Sequence, residues 1–171
     1  MQKHEIINLK TITAAEGFKI LPCDVEAIKK EKLHYESARA ASIEALKIIQ
    51  KRYGWVEDQA IYEIAKILEI APVEVEEVAT FYNQIFRQPV GKNIIRYCDS
   101  QVCYIMGFEE IKKKLQKLLK IKPGCTTMNK KFTLLPTCCL GSCHRAPVIM
   151  INTKIYENVS SNSVDKILKK Y

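Results

Sequence analysis

Five of the seven cysteines in this chain sit in two short clusters. Cys98 and Cys103 form a C-x4-C pair in YCDSQVC, and Cys139 and Cys143 form a C-x3-C pair in CLGSC, with Cys138 directly before it. Thiolates are soft ligands, and four of them brought together suit either tetrahedral zinc or an iron–sulfur cluster. Structural zinc sites rest on tight C-x2-C knuckles, which neither pair has. Among clusters, the C-x2-C-x2-C run is absent, and the plant-type C-x4-C-x2-C pattern fails because Met106 stands where its third cysteine would be. A layout of two plus two remains, one pair for each iron of a [2Fe–2S] rhomb, with zinc as the second reading. Gly107 and Gly141 allow the backbone to come close enough for N–H groups to point at sulfur.

The neighbours of these pairs carry weaker signals. Cys138 would form a C-x4-C pair with Cys143, and successive side chains on an extended or turning backbone point in different directions, so only one of Cys138 and Cys139 is expected to reach a given iron. Spacing alone leaves that choice open. His144 and Arg145 could stabilise a cluster that gains negative charge on reduction, or could simply face solvent or a partner. Cys23 and Cys125 fall outside both clusters and read as small, half-buried thiols. His4 and His34 have no ligand pattern around them.

The elements that must position the cysteines follow from periodicity and punctuation. After an extended start, PCDVEAIKKEKLHY predicts a short helix opened by Asp24. Ser37 is expected to cap a longer one with Ala38, Ala41, Ala45, Ile48 and Ile49 inward, ended by Gly54. Asp58 opens a third, with Ile61, Ile64, Ala65 and Leu68 on one face. Pro72 starts a fourth, predicted to run to Phe86 with Val75, Val78, Ala79 and Tyr82 inward. The texture changes at RQPVGK. A strand over 93–98, a loop, a helix over 107–119 with Ile111, Leu115, Leu118 and Leu119 inward, a strand over 131–135, the second cysteine loop, strands over 148–152 and 155–158, and a helix over about 160–170 complete the chain. Both cysteine pairs are expected on loops at strand ends. The fold class is α+β: an N-terminal helical bundle over 1–88, then a thioredoxin-like α/β domain over 89–171 in βα–ββα order.

Composition bounds the rest. An apolar fraction of 47% suits a globular chain, and no window approaches the roughly eighteen apolar residues of a membrane span. Charges at Lys3, Glu5, Lys10 and Glu16 interrupt any signal-peptide core, so a cytoplasmic location is expected, where cysteines serve metal or redox chemistry rather than stapling. The net charge of +8 comes mostly from scattered lysines, not an arginine-and-aromatic stripe, so no nucleic-acid partner is expected. No G-x-G-x-x-G and no P-loop places a dinucleotide or nucleotide on this chain. A thiol–disulfide oxidoreductase reading is weak without C-x-x-C at a helix start.

The two cysteine contexts, YCDSQVC and LPTCCLGSCHRAP, the 35 residues between Cys103 and Cys139, and EVATFYNQIFRQPVGK ahead of them resemble the E subunits of bacterial NADH-quinone oxidoreductases, counterparts of the 24 kDa subunit of complex I. The resemblance runs through nearly the whole chain. It implies one [2Fe–2S] cluster on Cys98, Cys103, Cys139 and Cys143, favouring Cys139 over Cys138, and no catalytic acid, base or nucleophile. It also implies an electron-transfer role beside an NADH- and FMN-binding flavoprotein subunit, in a peripheral arm that meets the membrane only through the complex. Phe81 and Phe86 are candidates for contact with such a partner. The equivalent subunit of an NAD-linked hydrogenase or formate dehydrogenase is the nearest alternative.

Overall fold

The computed structural model describes residues 19–171, so most of the extended start, and His4, lie outside the described residues. The chain divides between Pro89 and Val90 into two compact units, each with its own apolar core.

The first unit is built from helices α1 (Pro22–Lys32), α2 (Ser42–Tyr53), α3 (Asp58–Leu68) and α4 (Pro72–Phe81). Ile28, Leu46, Ile49, Ile64 and Leu68 are fully buried among them, each contributing about 1.5–3 kcal/mol relative to exposure. Gly54 ends α2 at φ +82°, as its position implied. Asp24 does not cap α1: Pro22 occupies the first turn, and the buried Asp24 carboxylate instead accepts from Arg52 Nη2 at 2.8 Å, tying α1 to α2. The stretch after Ser37 begins as a 3-10 turn (Ala38–Ala41), and α2 proper starts at Ser42.

Helix α4 stops at Phe81, five residues short of the predicted end, and Tyr82 is extended and exposed. The cause is a competing set of backbone partners. Gln50 donates to Gln84 O at 2.7 Å and accepts from Phe86 N at 2.6 Å, while Val56 N donates to Phe86 O at 2.8 Å. Arg87 then binds Asp58 at 2.8 Å, Glu76 at 2.9 Å and the Val56 carbonyl. Residues 82–87 are therefore a strap over the bundle. Phe86 is half-buried in it, whereas Phe81 is exposed.

The second unit contains β1 (Asn93–Cys98), α5 (Gln101–Ile105), α6 (Phe108–Leu119), β2 (Phe132–Thr137), β3 (Ile149–Ile151), β4 (Lys154–Tyr156) and α7 (Ser161–Leu168). The sheet order is β2-β1-β3-β4, with β1 parallel to β2 and the other two pairings antiparallel. A parallel pair needs a crossover, and α6 supplies it, which gives the expected thioredoxin-like α+β arrangement. Ile111 and Leu115 face the core, and Leu119 packs against it, but Leu118, at the edge of the apolar stripe, is exposed. Val164 and Ile167 bury α7 as their spacing implied. Helix α5 was not expected; it occupies what read as the first cysteine loop.

Candidate metal centre

The register of the parallel pair brings the cysteines together. Cys98, the last residue of β1, lies opposite Thr137, the last residue of β2. Asp99 N donates to Thr137 O at 2.8 Å, locking the two strand ends together, and Cys98 N donates to Val148 O at 3.2 Å. Because the strands run parallel, both cysteine segments leave the sheet at the same end, and Cys139 is two residues beyond the partner of Cys98.

Cys103 reaches the site from α5 rather than from a loop. Ser100 stands before the helix in extended conformation, and Tyr104 N closes the first turn on Ser100 O at 2.9 Å. That turn folds Cys103 back towards Cys98, close enough for each thiol to shift the ionisation of the other. Both are buried. The second pair is at the surface: Cys139 Sγ and Cys143 Sγ are 3.6 Å apart, with Cys143 opening the 3-10 turn Cys143–Arg145.

Burial pushes the Cys98 thiol up, but hydrogen bonds from the Ser100 and Cys103 side chains and from the Leu140 and Ser100 backbones outweigh it and hold it below the ordinary thiol range. The Ser100 hydroxyl is 3.1 Å from Cys98 Sγ. Burial and then the hydrogen bond with Cys98 push the Cys103 thiol up, and the hydrogen bond and charge of Cys139 do the same to Cys143, which also feels the charge of Cys98. Because the charge of Cys98 reaches Cys143, the two pairs are electrostatically one site, and a bound cation would relieve the repulsion that raises Cys103 and Cys143.

The donor set fits a thiolate-ligated group held by two pairs. For a sulfur–metal distance of about 2.3 Å and a tetrahedral angle, two sulfurs on one ion stand about 3.8 Å apart. The 3.6 Å of Cys139 and Cys143 is close to that. Among the described residues, no three His, Cys, Asp or Glu side chains are gathered as they would be around a single metal ion. Gly141 turns the second loop at φ +83°, a left-handed conformation that disfavours a Cβ, and its N–H points at Cys139 Sγ at 3.3 Å. An N–H so aimed stabilises a thiolate and the negative charge of a cluster bound to it.

The remaining candidates separate cleanly. Cys138 is exposed rather than packed into the core, and its carbonyl, 4.0 Å from Cys98 Sγ, is what faces the site. Cys23 and Cys125 are exposed, not half-buried. His144 is exposed, and Arg145 pairs with Glu157 at 2.8 Å. Two contributors escaped the sequence: Ser100, for which a hydroxyl two residues after Cys98 was the available signal, and Glu157, for which there was none. Beside the buried pair, α5 and the residue after it expose Val102, Tyr104, Ile105 and Met106, the isoleucine by 71%. Among the described residues no helix is long and apolar enough to cross a membrane.

The family model for the thioredoxin-like [2Fe–2S] ferredoxin matches residues 28–171. The E subunit of the NADH-quinone oxidoreductase of Buchnera aphidicola subsp. Acyrthosiphon pisum is 55% identical over 154 residues, 90% of this chain and 95% of the relative. Its namesake from Escherichia coli K12 is 53% identical over 156 residues, 91% and 94% of the two chains. In fold, the chain is similar to a solved NAD+-reducing [NiFe]-hydrogenase in the H2-reduced state, with a TM-score of 0.67 at 23% identity, covering 80% of this chain and 22% of that one. A family match over most of its length, and relatives more than half identical over at least 90% of the chain, mean that this chain belongs to the thioredoxin-like [2Fe–2S] ferredoxin family and, within it, to the E subunits of NADH-quinone oxidoreductases.

Proposed function

We propose that the chain is the electron-transfer subunit of an NADH-quinone oxidoreductase, holding one [2Fe–2S] cluster on Cys98, Cys103, Cys139 and Cys143 next to the flavin of an NADH-binding partner subunit. The observation that carries this reading is the convergence of two thiol pairs at one end of the sheet. When bound, the cluster supplies one-electron chemistry without proton transfer by the protein. The chain's own residues hold the thiolates, aim the Gly141 N–H at Cys139, and bury the Cys98 and Cys103 side from water. Dividing the chain into a helical region over 1–88 and a ferredoxin domain over 89–171 is part of the same proposal.

Anaerobically purified protein is expected to be brown, to contain about two irons per chain, and to give a rhombic EPR signal on reduction with dithionite. A colourless protein carrying one zinc per chain would refute the cluster and leave a structural zinc module. The hydrogenase alternative rests on fold likeness alone, whereas 55% identity over 90% of the chain favours the quinone-linked complex.

The partner reading adds a surface. The exposed apolar side chains of α5 surround the segment that carries Cys103, and electron exchange requires a partner close to the cluster. Val102, Tyr104, Ile105 and Met106 are assigned to contact with the flavoprotein. Ile105→Asp is expected to weaken association with that flavoprotein at least about tenfold, measured by titration, because it sets a charge in a desolvated contact. The cluster EPR signal and the thermal midpoint should not change, since Ile105 is mostly exposed in the chain. The complex is proposed to lie on the cytoplasmic side of the inner membrane.

A further inference from the structure

The exposed half of the site has an anchor that lies elsewhere in the chain. Cys143 opens a single 3-10 turn, and a turn that short makes too few internal hydrogen bonds to hold its own position. The turn is tied to one carboxylate. Arg145, two residues past Cys143, donates from Nη1 to Glu157 Oε2 at 2.8 Å. The backbone repeats the link, with Asn158 N donating to Arg145 O at 2.8 Å and Val159 N to Pro147 O at 3.0 Å. Glu157 is also unusual in its surroundings, because Val90–Tyr171 contains 15 Lys and Arg but only five Asp and Glu. Its side chain is 28% exposed, so the pair is partly shielded from water.

We propose that Glu157 is a positioning residue for the cluster: it clamps Arg145, and through it fixes Cys143 in the geometry that pairs it with Cys139. Arg145 and then Ser142 hold the Glu157 carboxyl below the usual carboxylate range, so the clamp is charged at neutral pH. Glu157 also neutralises Arg145, which otherwise directs an unpaired positive charge from the turn next to the cluster. Losing the clamp therefore both loosens one ligand and raises the reduction potential.

The proposal rests on the ligand assignment above, and the experiment separates the two. Holoprotein of wild type, Glu157→Gln, Glu157→Asp and Asp165→Asn is compared by EPR, potentiometric titration, rate of iron transfer to a chelator and hydrogen exchange at the Asn158 amide. Asp165 pairs with Lys114 between α7 and α6, so Asp165→Asn makes the same change in net charge without touching the turn. Glu157→Gln should change the EPR line shape, raise the potential more than Asp165→Asn does, and speed iron loss by up to about fivefold, the range of one partly exposed ion pair. Exchange at Asn158 should accelerate, and Glu157→Asp should restore most of each effect. Equal potential shifts in Glu157→Gln and Asp165→Asn, with unchanged line shape and exchange, would show that Glu157 acts only as a distant charge and would overturn the proposal. A wild type without a [2Fe–2S] signal would defeat the ligand assignment instead.

Discussion

Replacing Cys139 by serine is expected to abolish the rhombic EPR signal and bring iron from about two per chain to well below one, while Cys138→Ser keeps both. The two residues are adjacent, so local composition and chain flexibility are the same for each variant, and only the direction of the side chain differs. Cys139 Sγ is 3.6 Å from Cys143 Sγ and receives the Gly141 N–H. Cys138 turns its side chain outward and offers the site only its carbonyl oxygen, which serine retains. Serine in place of Cys139 presents a hard hydroxyl that ionises poorly, and the relieved repulsion that favours thiolate binding is lost with it. Loss of the cluster in Cys138→Ser, with its survival in Cys139→Ser, would reverse the assignment.

How much of the fold is legible in the amino-acid sequence depends on whether the cause is local. The span of β1 was readable to the residue because NIIRYC is a β-rich run ended by turn residues. The inward faces of α3 and α7 were readable because their apolar spacing matches one turn of helix. Helix α5 was not, because five residues are too few to show a period, and its first turn depends on a strand end held by Thr137 far along the chain. The early end of α4 was hidden for the same reason: the backbone groups that would have extended it are taken by Gln50 and Val56, which no local pattern reveals. The candidate ligands were legible in the cysteine spacing, but their meeting point depends on the parallel register of β1 and β2, and Glu157 enters only through tertiary contact.

The largest stability effect outside the ligands is expected at Phe108. Its ring is 1% exposed and stacks on Tyr97 with centroids 5.0 Å apart and planes 16° from parallel. The pair joins two segments that each carry one ligand of the buried thiol pair: Tyr97 precedes Cys98 on β1, and Phe108 opens α6 just beyond α5 and Cys103. Phe108→Ala removes the ring from a closed core and should cost about 3–5 kcal/mol, from a total that is ordinarily about 5–15 kcal/mol. Phe108→Leu keeps most of the volume and should cost clearly less. Urea unfolding followed by the visible absorption of the cluster would show the loss as a lower midpoint at unchanged slope. Because the stack joins the two ligand-bearing segments, iron should also leave Phe108→Ala faster below the unfolding transition, where Phe108→Leu still holds it. A midpoint shift worth less than about 1 kcal/mol would mean that the core closes around the gap and that the buried pair does not depend on the stack.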